Sequence, residues 1–319
     1  MKLIIFLTAL AILALSPFMG ETPLDIQKIF DPEAMEYLLF WDLRFPRVAV
    51  AFVSGAILAL GGMVFQAVFR NALTTPFTLG VSSGATLATA IGIIFLPASL
   101  IAFSPLFSFL GAFSTVLLLF IFARTLNAME TNSLLLIGIA LSFFYSAALM
   151  VLFYISSLQE SYSILRFTMG SLNVVGFTNV YPVMGAALVL LGVVLGYRHE
   201  LRLILTSYDN AFLKGIEIKK INLILLFFVS LSVGVSVSVV GPIGFVGLVI
   251  PHVIRLIYKQ SSDKLILPIF FYGGVFLVLC DLIARNLGTV SEVPIGVVTS
   301  FVGGPFFIYL ILKRRTNNG

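Results

Sequence analysis

Long, uninterrupted apolar runs limit what this chain can fold into more than any other feature. They lie at 3–19, 47–68, 79–97, 100–123, 132–155, 179–197, 221–240, 243–257, 265–284 and 294–312. Most are near the length of about 20 residues that crosses a bilayer as an α-helix, whereas barrel strands would be about 10 residues of alternating pattern. The sequence therefore predicts an all-α polytopic membrane protein with about ten transmembrane helices, in a single transmembrane domain over 1–319.

Two of the ten runs leave an alternative open. The run 243–257 is short, so it is either a full crossing or a half-helix. The run 3–19 has the apolar core of a signal peptide, but its only small-x-small site, residues 14–16, is followed by Pro17. We therefore expect a retained span rather than a cleaved leader.

Charge supports the membrane class and sets the orientation. Only 10% of the residues are charged and 60% are hydrophobic, whereas a soluble domain is about 25% charged. With the N-terminus in the cytoplasm, 14 of the 19 Lys and Arg residues fall on the inner side, as the positive-inside rule requires. Both termini are thus predicted to be cytoplasmic. We attribute the net charge of +5 to the positive-inside orientation and to contact with membrane lipid, not to nucleic-acid binding. The five outer basic residues are Lys28, Arg44, Arg47, Arg166 and Arg285.

The chain lacks the residues that catalysis or cofactor binding would need. It has one cysteine, Cys280, and two histidines, His199 and His252, and no phosphate-binding GxxxxGK[ST] loop. We expect no enzymatic activity, no cofactor and no metal site, and a structural role for His252. The span interiors are nearly free of charge, and the exceptions sit near span ends: Arg166, Asp281, Arg285 and Glu292. Asp281 and Arg285 can pair at i,i+4. An ion-coupled carrier would need a mid-span relay, so it is the weaker alternative.

Small residues indicate where helices approach closely. Spans two and three are rich in them, as at Gly55, Gly62 and Gly80-x-x-x-Gly84, and small residues let helix backbones meet in lipid. The stretch 241–247 (GPIGFVG) interrupts the helical pattern, so we expect a turn there, with an element of the substrate path as the alternative. The run 161–171 is too short to span, and we expect a short helix near one surface.

The largest predicted inner loop is 198–220 (RHELRLILTSYDNAFLKGIEIKK). Its residues Ala211, Phe212 and Leu213, followed by Ile216 and Ile218, form a short amphipathic pattern that Gly215 interrupts, which predicts a helix, a glycine turn and a short helix. Such a pair suits docking to a soluble partner in the helix-in-groove mode. A solvated connecting loop would have similar chemistry and remains the alternative.

Three stretches together carry a family resemblance. They are RFPR at 44–47 with RNALTTPFTLGVSSGA at 70–85, then GPIGFVGLVIPH at 241–252, then DLIAR at 281–285 with EVPIGVVT at 292–299 and GGPFF at 303–307. In order and spacing they resemble the FecCD-type permeases of ABC importers for iron–siderophore, haem and cobalamin, over essentially the whole chain. Two departures are Asn71-Ala72-Leu73-Thr74, where the family has Asn-Pro-Leu-Ala, and Lys214-Gly215, where it has Leu-Gly.

The resemblance implies a transporter assembly in the bacterial inner membrane. Two permease subunits, identical or homologous, would form the pathway. Two ATPase subunits would bind on the cytoplasmic side and a soluble substrate-binding protein would dock outside. The family's pathway-lining helices correspond here to 132–155 with 161–171, and to 294–312. Ferric siderophore is the expected substrate, with haem and cobalamin as alternatives.

The resemblance also implies two sets of site residues. Arg44, Arg47 and Arg285 match the outward arginines that meet glutamates of the binding protein. The helices at about 206–218 match those that transmit ATPase motion. Their coupling residues would be Asn210, Ala211, Phe212, Leu213, Lys214, Gly215 and Ile216.

Overall fold

The computed structural model describes residues 2–20, 22–97, 100, 103–125, 131–206, 217–259, 263–287 and 292–316, and over these ranges it contains helices and turns but no β-strand. The helices are α1 Lys2–Leu15, α2 Phe45–Val68, α3 Val81–Phe95, α4 Ser104–Thr125, α5 Thr131–Ile155, α6 Leu158–Thr168, α7 Val180–Gly196, α8 Arg198–Thr206, α9 Ile218–Val240, α10 Val246–Tyr258, α11 Ile266–Leu287 and α12 Ile295–Thr316. Each of the ten predicted runs coincides with a helix, so the all-α membrane fold is confirmed.

The helices differ in how readily they would cross a bilayer. Within the described ranges, five are long and apolar enough to do so: Met35–Val68, Ser104–Phe122, Ser133–Ile155, Ile218–Val240 and Asp263–Leu287. A sixth span would be the pair Val180–Gly196 and Arg198–Ile204, which is bent by 63°. Four apolar helices are shorter: Lys2–Phe18, Val81–Phe95, Val246–Tyr258 and Ile295–Tyr309. The number of crossings and the side on which each terminus lies therefore stay predictions.

Helix α2 forms the centre of the bundle. A short helical turn, Met35–Leu38, and a π-helical turn, Leu39–Arg44, lead directly into it. Most of its residues are buried, because α7, α9, α10 and α11 all pack around it. A helix in this position can be apolar on every face, which is why the run 47–68 shows no polar stripe.

Close packing around α2 depends on glycine pairs. A Cβ placed on Gly55 would lie 2.4 Å from the carbonyl oxygen of Gly273 in α11. A Cβ placed on Gly62 would lie 1.9 Å from the carbonyl oxygen of Gly247 in α10. Since helices in lipid gain no hydrophobic energy from associating, this backbone contact is what brings them together. The small-residue packing predicted for this span is confirmed.

The predicted turn at 241–247 is also confirmed. Gly241 has φ of +71° and ends α9, and α10 begins at Val246 after Phe245, which has φ of +66°. A left-handed conformation at a bulky residue costs free energy and is kept only where its surroundings impose it. Here Phe245 packs against Gly303 of α12, because a Cβ on that glycine would lie 2.4 Å from the Phe245 Cβ.

The segment after α6 and the start of α12 lie next to this turn and are joined by hydrogen bonds. The Ser171 N–H, just after α6, donates to the Val240 carbonyl at 2.8 Å, and the Gly296 N–H at the start of α12 donates to the Met169 carbonyl at 2.9 Å. Helix α6 is short, as predicted, and a reciprocal cap between Ser157 and Glu160 starts it. The hydrogen bond from the Ser157 N–H lowers the pKa of the Glu160 carboxyl.

Candidate functional site

Five charged side chains gather at one end of the bundle. The centre of this group is Asp281 on α11, whose side chain is fully buried. Arg47 at the start of α2 donates to it from Nη2 at 2.8 Å and from Nε at 3.0 Å. We call the group the arginine–carboxylate cluster, and its members are Arg44, Arg47, Asp281, Arg285 and Glu292.

Arg47 joins two carboxylates. Its Nη1 donates to Glu292 at 2.7 and 2.9 Å, and to the Asn173 side-chain oxygen at 3.1 Å. Asp281 and Glu292 lie 234 and 245 residues away along the chain. The guanidinium therefore ties the start of α2 to α11 and to the segment before α12. Sequence reasoning missed both pairs, because only the packing of α2 against α11 brings these residues together.

Arg285 and Arg44 lie near Arg47 and are more deeply buried, with 6% and 8% of their surface exposed. Arg285 Nε is 3.1 Å from Asp281 Oδ2, which confirms the predicted i,i+4 pair. Its Nη1 donates to the Met19 carbonyl at 3.3 Å. Arg44 donates to the Phe18 carbonyl at 3.2 Å and to the Thr22 hydroxyl at 3.1 Å. The segment after α1 thus covers both arginines.

A cavity of about 250 Å³ adjoins the cluster. It lies where α6 and the segment after it face the stretch before α12. Its polar lining comprises Arg47, Tyr162, Arg166, Ser171, Asn173 and Glu292. The outer basic residues Arg44, Arg47, Arg166 and Arg285, predicted to share one side of the membrane, therefore lie near one another. Three arginines against two carboxylates leave the cluster with one net positive charge, so it favours an anionic partner.

The opposite end of the bundle carries a second, smaller polar network. Gln66 near the end of α2 donates from Nε2 to the Gly247 carbonyl at 3.1 Å, and Arg255 Nη1 donates to Gln66 Oε1 at 2.8 Å. These contacts fix α10 against α2. His252 lies one turn before Arg255 and is half-buried, and its structural role stays a prediction.

The predicted coupling residues Asn210, Ala211, Phe212, Leu213, Lys214, Gly215 and Ile216 lie outside the described residues. Their flanks are described. On one side α8 turns sharply away from α7 and is held by the ion pair of Arg202 with Asp263, just before α11. On the other side α9 begins at Ile218. The helix, glycine turn and short helix predicted around Gly215 fall almost entirely outside the described residues, so they stay a prediction.

The described part of the chain holds no group of three or more His, Cys, Asp or Glu side chains that could bind a metal ion. Cys280 is free and buried.

Comparison with known proteins identifies the family. The sequence profile of the FecCD transport family matches residues 6–313. The chain belongs to this family. It is 35% identical to the hemin transport system permease protein HmuU of Yersinia pestis, over 97% of this chain and 94% of that protein. It is 37% identical to the vitamin B12 import system permease protein BtuC of Vibrio cholerae, over 88% and 85%.

A solved structure agrees with these matches. It is described as an inward-facing conformation of a metal-chelate type ABC transporter, with TM-score 0.87, 28% identity and coverage of 97% of both chains. The protein is accordingly a permease subunit of an ABC importer, a multi-pass membrane protein whose relatives are transport permeases rather than enzymes. ATP hydrolysis in such importers takes place in separate subunits.

Proposed function

We propose that this permease moves an iron chelate of the ferric-siderophore type through the bacterial inner membrane into the cytoplasm. The observation that carries the proposal is the full-length match to a metal-chelate type transporter. Haem and cobalamin are the alternatives, since the hemin and vitamin B12 permeases are relatives.

Uptake in cells with and without the gene tests the substrate. We expect deletion to abolish uptake of labelled ferric siderophore, and we expect uptake to stop on ATP depletion but to persist when a protonophore collapses the proton gradient. Labelled haem and cobalamin run in parallel, and loss of one of these instead would overturn the siderophore assignment. Loss of uptake under the protonophore with ATP intact would point to the ion-coupled carrier.

The assembly that we propose has two permeases, two ATPases and one soluble binding protein. The second permease, identical or homologous, would pack so that α5, α6 and α12 line the pathway. These helices carry large, exposed side chains, including Phe143 at 72%, Tyr154 at 90% and Phe301 at 81%. Such surfaces suit lipid and a packed second subunit alike, so the oligomer is inferred from the family.

Docking of the binding protein is proposed at the arginine–carboxylate cluster. The burial of Arg44 and Arg285 limits their direct part in docking, because only 8% and 6% of their surfaces are exposed and both donate to carbonyl groups of the segment after α1. Arg47 lines the cavity and donates to Glu292, whose side chain is 39% exposed. Arg47 is thus the cation through which a carboxylate of the partner would be held, while Arg44 and Arg285 add positive charge behind it.

Charge reversal at Arg47 tests the docking proposal. We expect Arg47→Glu to weaken binding of the purified binding protein by at least about tenfold, because it repels a carboxylate that the arginine would attract. The change also breaks the buried pair with Asp281, so binding is compared only for protein that keeps the size-exclusion profile of the parent. Binding is measured on the permease–ATPase complex in nanodiscs, together with stimulation of ATP hydrolysis. Lys28→Glu reverses a charge in an exposed outer pair and is the matched control. Unchanged binding and stimulation in Arg47→Glu would contradict docking at this cluster.

The coupling proposal concerns residues 210–216. We propose that this segment contacts an ATPase subunit and passes its motion to the bundle. The described flanks support this role, because α8 is held by the Arg202–Asp263 ion pair to the turn that begins α11. A displacement of the segment would therefore reach α7 and α11 together.

A further inference from the structure

The two carboxylates on Arg47 differ sharply in environment. Asp281, which accepts from Nε and Nη2, is fully buried, whereas Glu292, which accepts from Nη1, is 39% exposed. Breaking a buried ion pair strands a charge and is strongly unfavourable. Exchanging one solvent-exposed carboxylate for another changes the free energy little. The inner edge of Arg47 is therefore fixed, and its outer nitrogen is available for exchange.

The surroundings of Glu292 favour an incoming carboxylate. The cavity beside it is also lined by Arg166, an exposed arginine on α6 that forms no ion pair within the described ranges. A second carboxylate entering this space would meet two guanidinium groups. Asn173, which accepts from the same Arg47 nitrogen at 3.1 Å, keeps that nitrogen aimed into the cavity.

From this asymmetry we infer that Glu292 is an internal stand-in for a carboxylate of the docking protein. In the undocked permease it occupies the outer nitrogen of Arg47. On docking, a glutamate or aspartate side chain of the partner takes its place, while Asp281 keeps the arginine in position. This inference rests on the proposed docking role of Arg47. It assigns Glu292 as a positioning residue that lowers the affinity for the partner, which lets the partner leave after each delivery.

The location of Glu292 gives the exchange a route into the bundle. It precedes Val293, whose N–H donates to the Ala284 carbonyl at 3.3 Å, and α12 begins two residues later. The Gly296 N–H at that start is bonded to Met169 after α6. Releasing Glu292 from Arg47 removes one of the contacts that hold the segment before α12. This segment adjoins the hydrogen bond between the start of α12 and Met169 after α6, and both helices are proposed to line the pathway.

The test measures the affinity of the purified binding protein for the permease–ATPase complex in nanodiscs. We expect Glu292→Gln to tighten binding about fivefold, because the charged competitor is removed. Glu292→Asp keeps the carboxylate and should stay near the parent affinity. Glu33→Gln, at an exposed outer glutamate, is the matched control and should not change it. In a background of Arg47→Gln, the gain from Glu292→Gln should vanish.

The outcomes separate this inference from the docking proposal. If Arg47→Gln weakens binding but Glu292→Gln leaves it unchanged or weaker, the stand-in role is wrong and docking at Arg47 stands. If Arg47→Gln has no effect, docking at this cluster is wrong, and the inference fails with it. Size-exclusion profiles and melting temperatures identify any variant that has failed to fold. If Glu292→Gln fails to fold, Glu292→Ala is used in its place, because it also removes the carboxylate and its side chain makes no hydrogen bond.

Discussion

Replacing Asp281 with alanine should destabilise the permease by about 3–5 kcal/mol, the range for breaking a buried ion pair. The carboxylate is fully buried and lies within 3.1 Å of both Arg47 and Arg285. Its removal leaves two guanidinium groups facing each other without the charge that separates them. We expect little folded protein to be recovered, and a large drop in the melting temperature of what is recovered from the membrane.

Two further variants show whether charge is the cause. Asp25→Asn removes a carboxylate from an exposed i,i+3 pair with Lys28, so it should cost less than about 1 kcal/mol. Adding Arg285→Met to Asp281→Ala removes one of the two stranded cations and should restore part of the loss. An Asp281→Ala protein as stable as the parent would mean that solvent or lipid headgroups reach this cluster.

The helices and one ion pair could be predicted from sequence because both are local. An apolar run of membrane length predicts a helix whatever it packs against. The spacing of Asp281 and Arg285 places them on one helix face in any fold. The glycine stretch 241–247 likewise predicts a turn, and the structure has one.

The pairing of Arg47 could not be predicted, because its partners come from distant parts of the chain. The burial of the Arg44 and Arg285 side chains could not be predicted either. Their predicted place on the outer side suggests side chains presented to a partner. The segment that includes Phe18 and Thr22 folds over Arg44 and accepts its hydrogen bonds. A charge count along the sequence cannot report such covering, since it depends on where a connecting segment lies.

Adding one methyl group at Gly62 should separate α2 from α10. The new Cβ would lie 1.9 Å from the Gly247 carbonyl oxygen, and also against the backbone carbon atoms of that residue. Backbone cannot move aside as a flexible side chain can, so α10 itself must shift. That shift breaks the hydrogen bonds from Gln66 to Gly247 and from Arg255 to Gln66. We expect Gly62→Ala to cost about 3 kcal/mol, the upper end for overpacking a core.

The sign of the effect distinguishes packing from helix propensity. In a helix interior, alanine is favoured over glycine by about 1 kcal/mol. Gly185→Ala and Gly192→Ala in α7 add a methyl group where no atom lies within 4 Å, so they should be neutral or stabilising. Melting temperature and transport should both fall in Gly62→Ala and in neither control. Equal behaviour of all three variants would contradict the close approach of α2 and α10. A loss confined to Gly62→Ala would support the close approach of α2 and α10, because among the three variants only its methyl group meets the backbone of another helix.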